Sequence, residues 1–215
     1  MTHDKYVYWP ESTLIKHFCQ YRGKTRHGDS ALFNKDQKII FRYNWIDGYG
    51  QLADSADGIS VTSVCDYANN RRNGYRDEFY NYTMDQIKSR TSYRDDLKHG
   101  PHLTFYQDGE CESVGNYFMG KLHGNYTYYF HTSGVNQDIP EYEQWPVRET
   151  INYSRGNKDG YRRVYDRDGN CVLNELYREG ILEYSYTVLS NHAIGLTCMS
   201  PVSYTHLTLP TKRIV

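Results

Sequence analysis

Three histidines could do chemistry, because each stands at the same place in a recurring pattern, directly before a glycine. They are His27, His99 and His123, and three further copies carry Asp47, Asn73 and Asp159 at that place. Imidazole and carboxylate groups lined up at one edge of a sheet could bind a metal ion or sense pH near neutrality. Turn formation is the simpler explanation of the pattern, because Asn and Asp side chains bond to nearby backbone in turns. We therefore predict turn residues here, with no metal and no cofactor.

Motifs for catalysis are missing from the sequence. Catalysis requires a nucleophile with a base, paired carboxylates or a metal set, held together on a rigid frame. The chain has no Gly-x-Ser-x-Gly, no Walker loop, no His-Glu-x-x-His and no glycine run of the dinucleotide-binding kind. We therefore expect this protein not to be an enzyme.

The five cysteines indicate a reduced compartment. They are Cys19, Cys65, Cys111, Cys171 and Cys198, an odd number that contains no Cys-x-x-Cys pair. Cys19 and Cys65 share one position of the repeat described below and Cys111 and Cys171 share another, which favours packing over metal or redox chemistry. The N-terminus has no apolar run long enough for a signal peptide, and no later segment approaches a membrane span. We expect a cytoplasmic protein.

A repeat of about two dozen residues must position all of these side chains. Each of six copies has an aromatic residue seven positions before a central glycine, and most have another five positions after it. The central glycines, expected at turns, are Gly28, Gly48, Gly74, Gly100, Gly124 and Gly160. The first aromatics are Tyr21, Phe41, Tyr67, Tyr93, Tyr117 and Tyr153. The second aromatics are Phe33, Phe79, Phe105, Tyr129 and Tyr165, and the copy around Gly48 has Ala53 instead.

Each copy is typical of a β-hairpin. Its runs are rich in Tyr, Phe, Val, Ile and Thr and are bounded by Asp-Gly or His-Gly pairs, in which glycine supplies a positive φ. One hairpin is marginally stable in water, so each copy needs its neighbour. Stacking in chain order would extend a sheet and align the rings as a ladder. We predict an all-β fold, an elongated single-sheet array of stacked antiparallel β-hairpins.

The frame from Tyr117 to Gly134, and again from Tyr153 to Gly169, resembles the MORN repeat in its looser bacterial variant, found in chains described as toxin–antitoxin antitoxins. Tyr177 starts a seventh copy, and the resemblance covers residues 13–185. It implies a scaffold with an antitoxin-like or accessory role. Other MORN proteins imply an alternative, a membrane module that contacts lipid headgroups. Its candidate residues are Arg71, Arg72, Arg162 and Arg163.

Composition agrees with a thin sheet and argues against a nucleic-acid partner. The chain has 23 Tyr, 7 Phe and 3 Trp, whereas only 38% of residues are hydrophobic and the mean hydropathy is -0.82. Tyrosine suits a thinly covered sheet because its ring packs while its hydroxyl stays wet. Twenty-five basic and 26 acidic side chains give a formal charge of -1, without the basic excess that nucleic acid binders carry.

Segment boundaries follow from the repeat. Residues 1–17 form an N-terminal half-unit, residues 18–134 and 148–190 form repeats, and residues 135–147 form an inserted loop with two prolines. Tyr142 and Trp145 in this loop stand among acidic residues and are candidates for binding a partner. The alternative is a variable excursion that caps a sheet edge.

Residues 201–215 differ in kind from the rest. The stretch from Val202 to Thr211 resembles the translation of a transposon end used in preparing sequencing libraries. We interpret it as an adapter translation that is not native, and we expect residues 202–215 to lack a stable packed conformation. The natural chain would then continue beyond this point.

The sequence therefore predicts a non-catalytic repeat scaffold for protein–protein interaction, with a protein partner whose identity the residues do not specify. The alternatives are the lipid-headgroup module and an appendage of an enzyme whose catalytic part is missing. Terminal strands without a cap would also allow copies to pair edge to edge.

Overall fold

A computed structural model describes residues 1–56, 58–80, 84–132, 145–189 and 193–197. All regular elements in these ranges are β-strands. They are β1 Thr2–Tyr8, β2 Ile15–Arg22, β3 Thr25–Phe33, β4 Ile39–Trp45, β5 Gly50–Asp54, β6 Ser63–Ala68, β7 Arg71–Phe79, β8 Ile87–Arg94, β9 Leu97–Phe105, β10 Cys111–Phe118, β11 Lys121–Leu122, β12 Gly124–Tyr129, β13 Val147–Ser154, β14 Asn157–Tyr165, β15 Cys171–Arg178, β16 Ile181–Leu189 and β17 Ala193–Thr197.

Consecutive strands pair antiparallel in chain order, which confirms the predicted all-β array of stacked hairpins. The array is divided, however, into a four-stranded sheet, β1 to β4, and a thirteen-stranded sheet that begins at β5. Between β4 and β5 only the bridge Ile46–Tyr49 remains. The prediction of a single sheet was therefore wrong at this place, where the two strands of one hairpin separate beyond their turn.

Six two-residue turns, each joining the two strands of one hairpin, lie along one edge of the array. They are Asp47-Gly48, Asn69-Asn70, Asp95-Asp96, Met119-Gly120, Arg155-Gly156 and Glu179-Gly180. Both residues of each turn have positive φ, as a type I′ turn requires. The second residue also donates its N–H to the preceding hairpin, as Gly120 does to the carbonyl of Lys98 at 2.8 Å and Gly180 to that of Lys158 at 2.7 Å. These bonds tie neighbouring hairpins together at their tips.

The central glycines have positive φ, but five of the six lie outside the turns. Gly28, Gly74, Gly100 and Gly160 lie inside strands and Gly124 begins one, while Gly48 alone occupies a turn. The pairing of β8 with β9 shows the reason, since Tyr93 faces Lys98 and Thr91 faces His102. Three residues, His99 to Pro101, therefore bulge opposite one. The predicted positive φ is confirmed, and the predicted turn location is corrected to a bulge.

The frame predicted for the second copy, with Phe41 as its first aromatic, is wrong. Gly48 is equivalent to the turn glycines Gly120 and Gly156, so the ladder position of this hairpin holds Trp45 and not Phe41. Trp45 is fully buried and lies edge-on to Tyr67, with ring centroids 5.5 Å apart. Gly50 makes room for it, since a Cβ there would come within 2.8 Å of the indole ring.

The second aromatics form a repeated cross-strand pair with the first residue of the next strand. The pairs are Phe33–Ile39, Phe79–Ile87, Phe105–Cys111, Tyr129–Val147 and Tyr165–Cys171. Cys19 and Cys65 share another repeat position and are buried. Burial raises the pKa of the Cys65 and Cys111 thiols to about 12. Both features support packing as the role of these cysteines.

The main aliphatic core of the described residues lies where the two sheets meet. Leu32, Ala53 and Val61 form a buried cluster there, and Phe41 packs against it. Two polar contacts also join the sheets at this corner, where β4 separates from β5. His17 Nε2 lies 2.8 Å from the carbonyl oxygen of Ala53, and Lys16 pairs with Asp54 at 2.7 Å. The separation of β4 from β5 thus lets the four-stranded sheet, here the shorter sheet, cover the first strand of the thirteen-stranded, longer sheet.

Candidate functional site

The edge formed by the two-residue turns, here the turn edge, carries several large apolar side chains that are exposed to solvent. They are Ile46, Tyr49, Leu97, Phe118, Met119 and Ile181. Successive turns stand about 10 Å apart, because each hairpin adds two strands spaced about 4.8 Å. Leu97, Phe118 and Met119 belong to adjacent hairpins, and we refer to these three residues as the turn-edge patch.

The turn-edge patch is apolar and bordered by basic groups. Phe118 is 56% exposed and Met119 57% exposed. The rings of His99 and His123 flank Phe118, with centroids 5.2 and 5.9 Å from its own. Lys121 and Arg155 line the same shallow cleft as Phe118 and Met119. The surface therefore offers an apolar centre whose border is basic on the side of Lys121 and Arg155, whereas the exposed acids Asp95 and Asp96 precede Leu97 on the other side.

The histidine row predicted from the sequence is divided between separate surroundings. His99 and His123 lie beside Phe118, whereas His27 lies in the shorter sheet with its Nδ1 3.0 Å from an Asp47 carboxylate oxygen. Within the described part of the chain these histidines do not join a group with metal-binding spacing.

A second cluster lies at the opposite edge, where β9 turns into β10. His131 Nε2 is 2.6 Å from Asp108 Oδ2 and 4.0 Å from Glu110 Oε2. Thr132 donates to Glu110 through its backbone N–H at 2.7 Å and through its hydroxyl. The pKa of Asp108 is lowered: partial burial opposes this, but bonds from His131 and the Glu110 N–H stabilise the carboxylate more. Tyr80 and Tyr106 line the adjoining cleft.

Most of the arginines considered for lipid headgroups are held by carboxylates. Arg162 lies between Glu149 at 2.5 Å and Glu175 at 2.9 Å. Arg72 bonds to Asp96 at 3.3 Å, and Arg71 lies 4.0 Å from Asp95. Arg163 lies over the ring of Tyr161 at 4.6 Å. These pairs reduce the positive charge available to a phosphate surface.

The inserted loop is described only in part. Tyr142 and residues 201–215 lie outside the described residues, so predictions about them stay predictions. Trp145 is described, and its ring meets that of Tyr129 edge-on at 5.9 Å. At least this residue of the proposed partner-binding pair has a packing role within the chain.

Comparison with known proteins adds no relative: no protein-family model matches the chain, and the search of curated proteins found no match. Among the described residues, no helix has the length and apolar character needed to span a membrane.

The sequence did not predict either cluster, although it held a signal for the turn-edge patch. Phe118-Met119 stands where other copies have Ala68-Asn69 or Arg94-Asp95, so a column-by-column comparison of copies would have marked an apolar exception. His131 and Asp108 belong to different copies, and their meeting depends on how neighbouring hairpins stack. Spacing within a single copy does not contain that information.

Proposed function

We propose that this protein is a non-catalytic repeat scaffold that binds a protein partner through the turn-edge patch. The supporting observation is that Leu97, Phe118 and Met119 are exposed together at the turn ends of two adjacent hairpins. Contiguous exposed apolar surface bordered by polar groups is typical of interaction sites. An accessory or antitoxin-like role is a special case, in which the bound partner is the regulated protein.

The border of the patch suggests the character of the partner segment. Lys121 and Arg155 would favour acidic groups around an apolar anchor that contacts Phe118, since complementary charge steers association and fixes register. The lipid alternative has less support, because Arg72 and Arg162 are held by carboxylates.

The test selects binders from a random peptide display library on the full wild-type chain, and then compares their binding to wild type and to the double variant Phe118→Ser, Met119→Ser. Selected peptides should be acidic with an apolar anchor. The double substitution should weaken their binding about thirtyfold, because losing a central anchor costs about 2 kcal/mol. Fluorescence anisotropy with labelled peptide measures the change.

The matched control is Ile181→Ser, which removes a side chain that is 62% exposed on the same edge but outside the patch. It should leave peptide affinity unchanged. Equal binding to wild type and double variant would contradict the proposal. Co-sedimentation with anionic vesicles at low salt that survives the double substitution would favour the lipid alternative.

A further inference from the structure

We propose that Asp108, Glu110 and His131 bind a divalent transition-metal ion, with Zn²⁺ as the ion to test. One ligand atom from each side chain lies within 4.8 Å of the others. One imidazole nitrogen with two carboxylate oxygens is a donor set that suits zinc, whereas the imidazole disfavours Mg²⁺ and Ca²⁺.

The distances are close to those a bound ion requires. Zinc takes nitrogen and oxygen ligands at about 2.0 to 2.2 Å, which places tetrahedral ligands roughly 3 to 3.5 Å apart. His131 Nε2 is now 2.6 Å from Asp108 Oδ2 and 4.0 Å from Glu110 Oε2. Opening the first distance and closing the second, each by up to about 1 Å, would match this spacing. The Asp108 and Glu110 oxygens, which lie within 4.8 Å of each other, would approach by up to about 2 Å. The ion would take the place of the proton that now joins His131 to Asp108.

Neighbouring groups already orient these ligands. Thr132 bonds to both carboxylate oxygens of Glu110, and the Glu110 N–H donates to the second oxygen of Asp108 at 3.2 Å. The imidazole of His131 packs on the ring of Tyr106, with centroids 4.5 Å apart. Outer contacts of this kind fix the orientation of metal ligands and contribute to affinity.

Within the described residues, the equivalent loops of other hairpins do not form such a cluster. In the loop after β14, Asp166 accepts bonds from the backbone of Asp168 and Asn170 at 3.0 and 2.8 Å, and its carboxylate therefore shapes the loop itself. Tyr106 stands at the equivalent place after β9. Here the two acids of the loop instead reach His131 of the next hairpin, so loop formation alone does not account for the arrangement.

Three protein ligands leave at least one position for water or for a group from a partner. That position would face the cleft beside Tyr80 and Gln107. Because the ligands come from the β9–β10 loop and from the segment just after β12, the ion would link two adjacent hairpins.

The test is isothermal titration of the full chain with Zn²⁺ at neutral pH, together with Co²⁺ titration followed by visible absorption. One saturable site is expected. His131→Gln and Asp108→Asn should each weaken Zn²⁺ binding by more than tenfold. Thr132→Val, which removes one outer contact, should weaken it by about 10- to 100-fold. Affinity should fall at acid pH, because protons compete for the ligands.

The control is Asp168→Asn, the same change at the equivalent position of the loop after β14, which should leave Zn²⁺ affinity unchanged. Circular dichroism establishes that every variant is folded. The proposal is overturned if wild type shows no saturable Zn²⁺ binding. It is equally overturned if His131→Gln and Asp108→Asn bind like wild type, since the ion would then be held by other side chains.

Discussion

At the scale of single residues, glycine serves three different purposes in this chain. Gly120 forms a two-residue turn, Gly100 allows a bulge inside β9, and Gly115 provides space for a ring. The first two need positive φ. Gly115 is different, because a Cβ there would lie 2.1 Å from Cδ2 of Tyr126. Tyr126 is buried over this glycine, and its hydroxyl lies 3.0 Å from that of Ser113.

Gly115→Ala should therefore destabilise the protein by about 1 to 3 kcal/mol, the usual cost of overpacking. The added methyl would push the Tyr126 ring aside and break its bond to Ser113. Urea unfolding followed by tyrosine fluorescence measures the loss.

A double-substitution cycle checks this cause. In a Tyr126→Leu background the ring is absent, so the cost of Gly115→Ala should become much smaller. An equal cost in both backgrounds would contradict the assignment of Tyr126 as the clashing group.

The buried cysteines give a prediction that depends on pH. Burial raises the pKa of Cys65 and Cys111 to about 12 from 9.0, so the folded state holds these protons more strongly. Their contribution to stability is present below pH 9 and is lost as the pH rises toward 12. Because the thiolate is the reactive form, both should resist iodoacetamide in the native protein at pH 8. Peptide mass spectrometry measures the labelling.

Urea provides the control for this experiment, since both thiols should react at ordinary rates in the unfolded chain. Labelling of Cys65 in the native state as fast as in urea would show that its burial is not maintained in solution.

At the scale of elements, cations alternate with the rings of the ladder. In most copies, the residue two positions before the bulge glycine is basic. Its charged end lies over the first aromatic ring of the next strand. Arg72 lies 4.5 Å from the Tyr93 ring centroid, Lys98 4.8 Å from Tyr117 and Lys158 4.7 Å from Tyr177. The charged ends lie over the ring faces, whose negative potential attracts them. This explains how a sheet with a mean hydropathy of -0.82 coheres.

Lys98→Met should cost about 0.5 to 1 kcal/mol, because methionine keeps the apolar stem but removes the charge over Tyr117. The measurement is the free energy of unfolding in urea. Lys38→Met, at an exposed position in the loop between β3 and β4, is the control and should change stability little. A larger loss for the control would argue against the cation–ring contact as the cause.

At the scale of the whole molecule, the corner between the two sheets differs from the rest of the array. The second hairpin has Gly50 at the position where most copies have a basic residue. Arg26, from the first hairpin, lies between two rings instead, 5.0 Å from that of Trp45 and 4.8 Å from that of Tyr67. Its backbone N–H also bonds to the side chain of Asn70 at 2.9 Å. One arginine thus connects the shorter sheet to the longer one.

Trp45→Ala should destabilise this corner by about 3 to 5 kcal/mol, as expected for removing a buried tryptophan. Because each hairpin contacts mainly its neighbours, the effect should remain local. Hydrogen exchange measured by mass spectrometry should show protection lost in β3 to β6 and retained in β13 to β15. Phe41→Ala, at the position that the sequence predicts for the ladder, should destabilise the protein less than Trp45→Ala. A uniform loss across all strands would contradict the local character of the corner.

The periodic features of this fold could be predicted from spacing, because they follow from local chemistry. Alternation along a strand, positive φ at Gly100 or Gly160 and the pairing of each strand with the next depend on residues close together in the chain. Such rules hold for every copy in turn. They correctly gave consecutive antiparallel hairpins.

The exceptions required the folded chain, because they depend on which hairpins meet. Phe41 and Trp45 both fit an aromatic spacing, and the choice between them rests on the space left by Gly50 in another strand. The break between β4 and β5, the exposure of Phe118 and the approach of His131 to Asp108 likewise arise between copies. A repeat pattern describes what its copies have in common, whereas packing between different copies determines where this protein has a corner, a patch and a cluster of ligands.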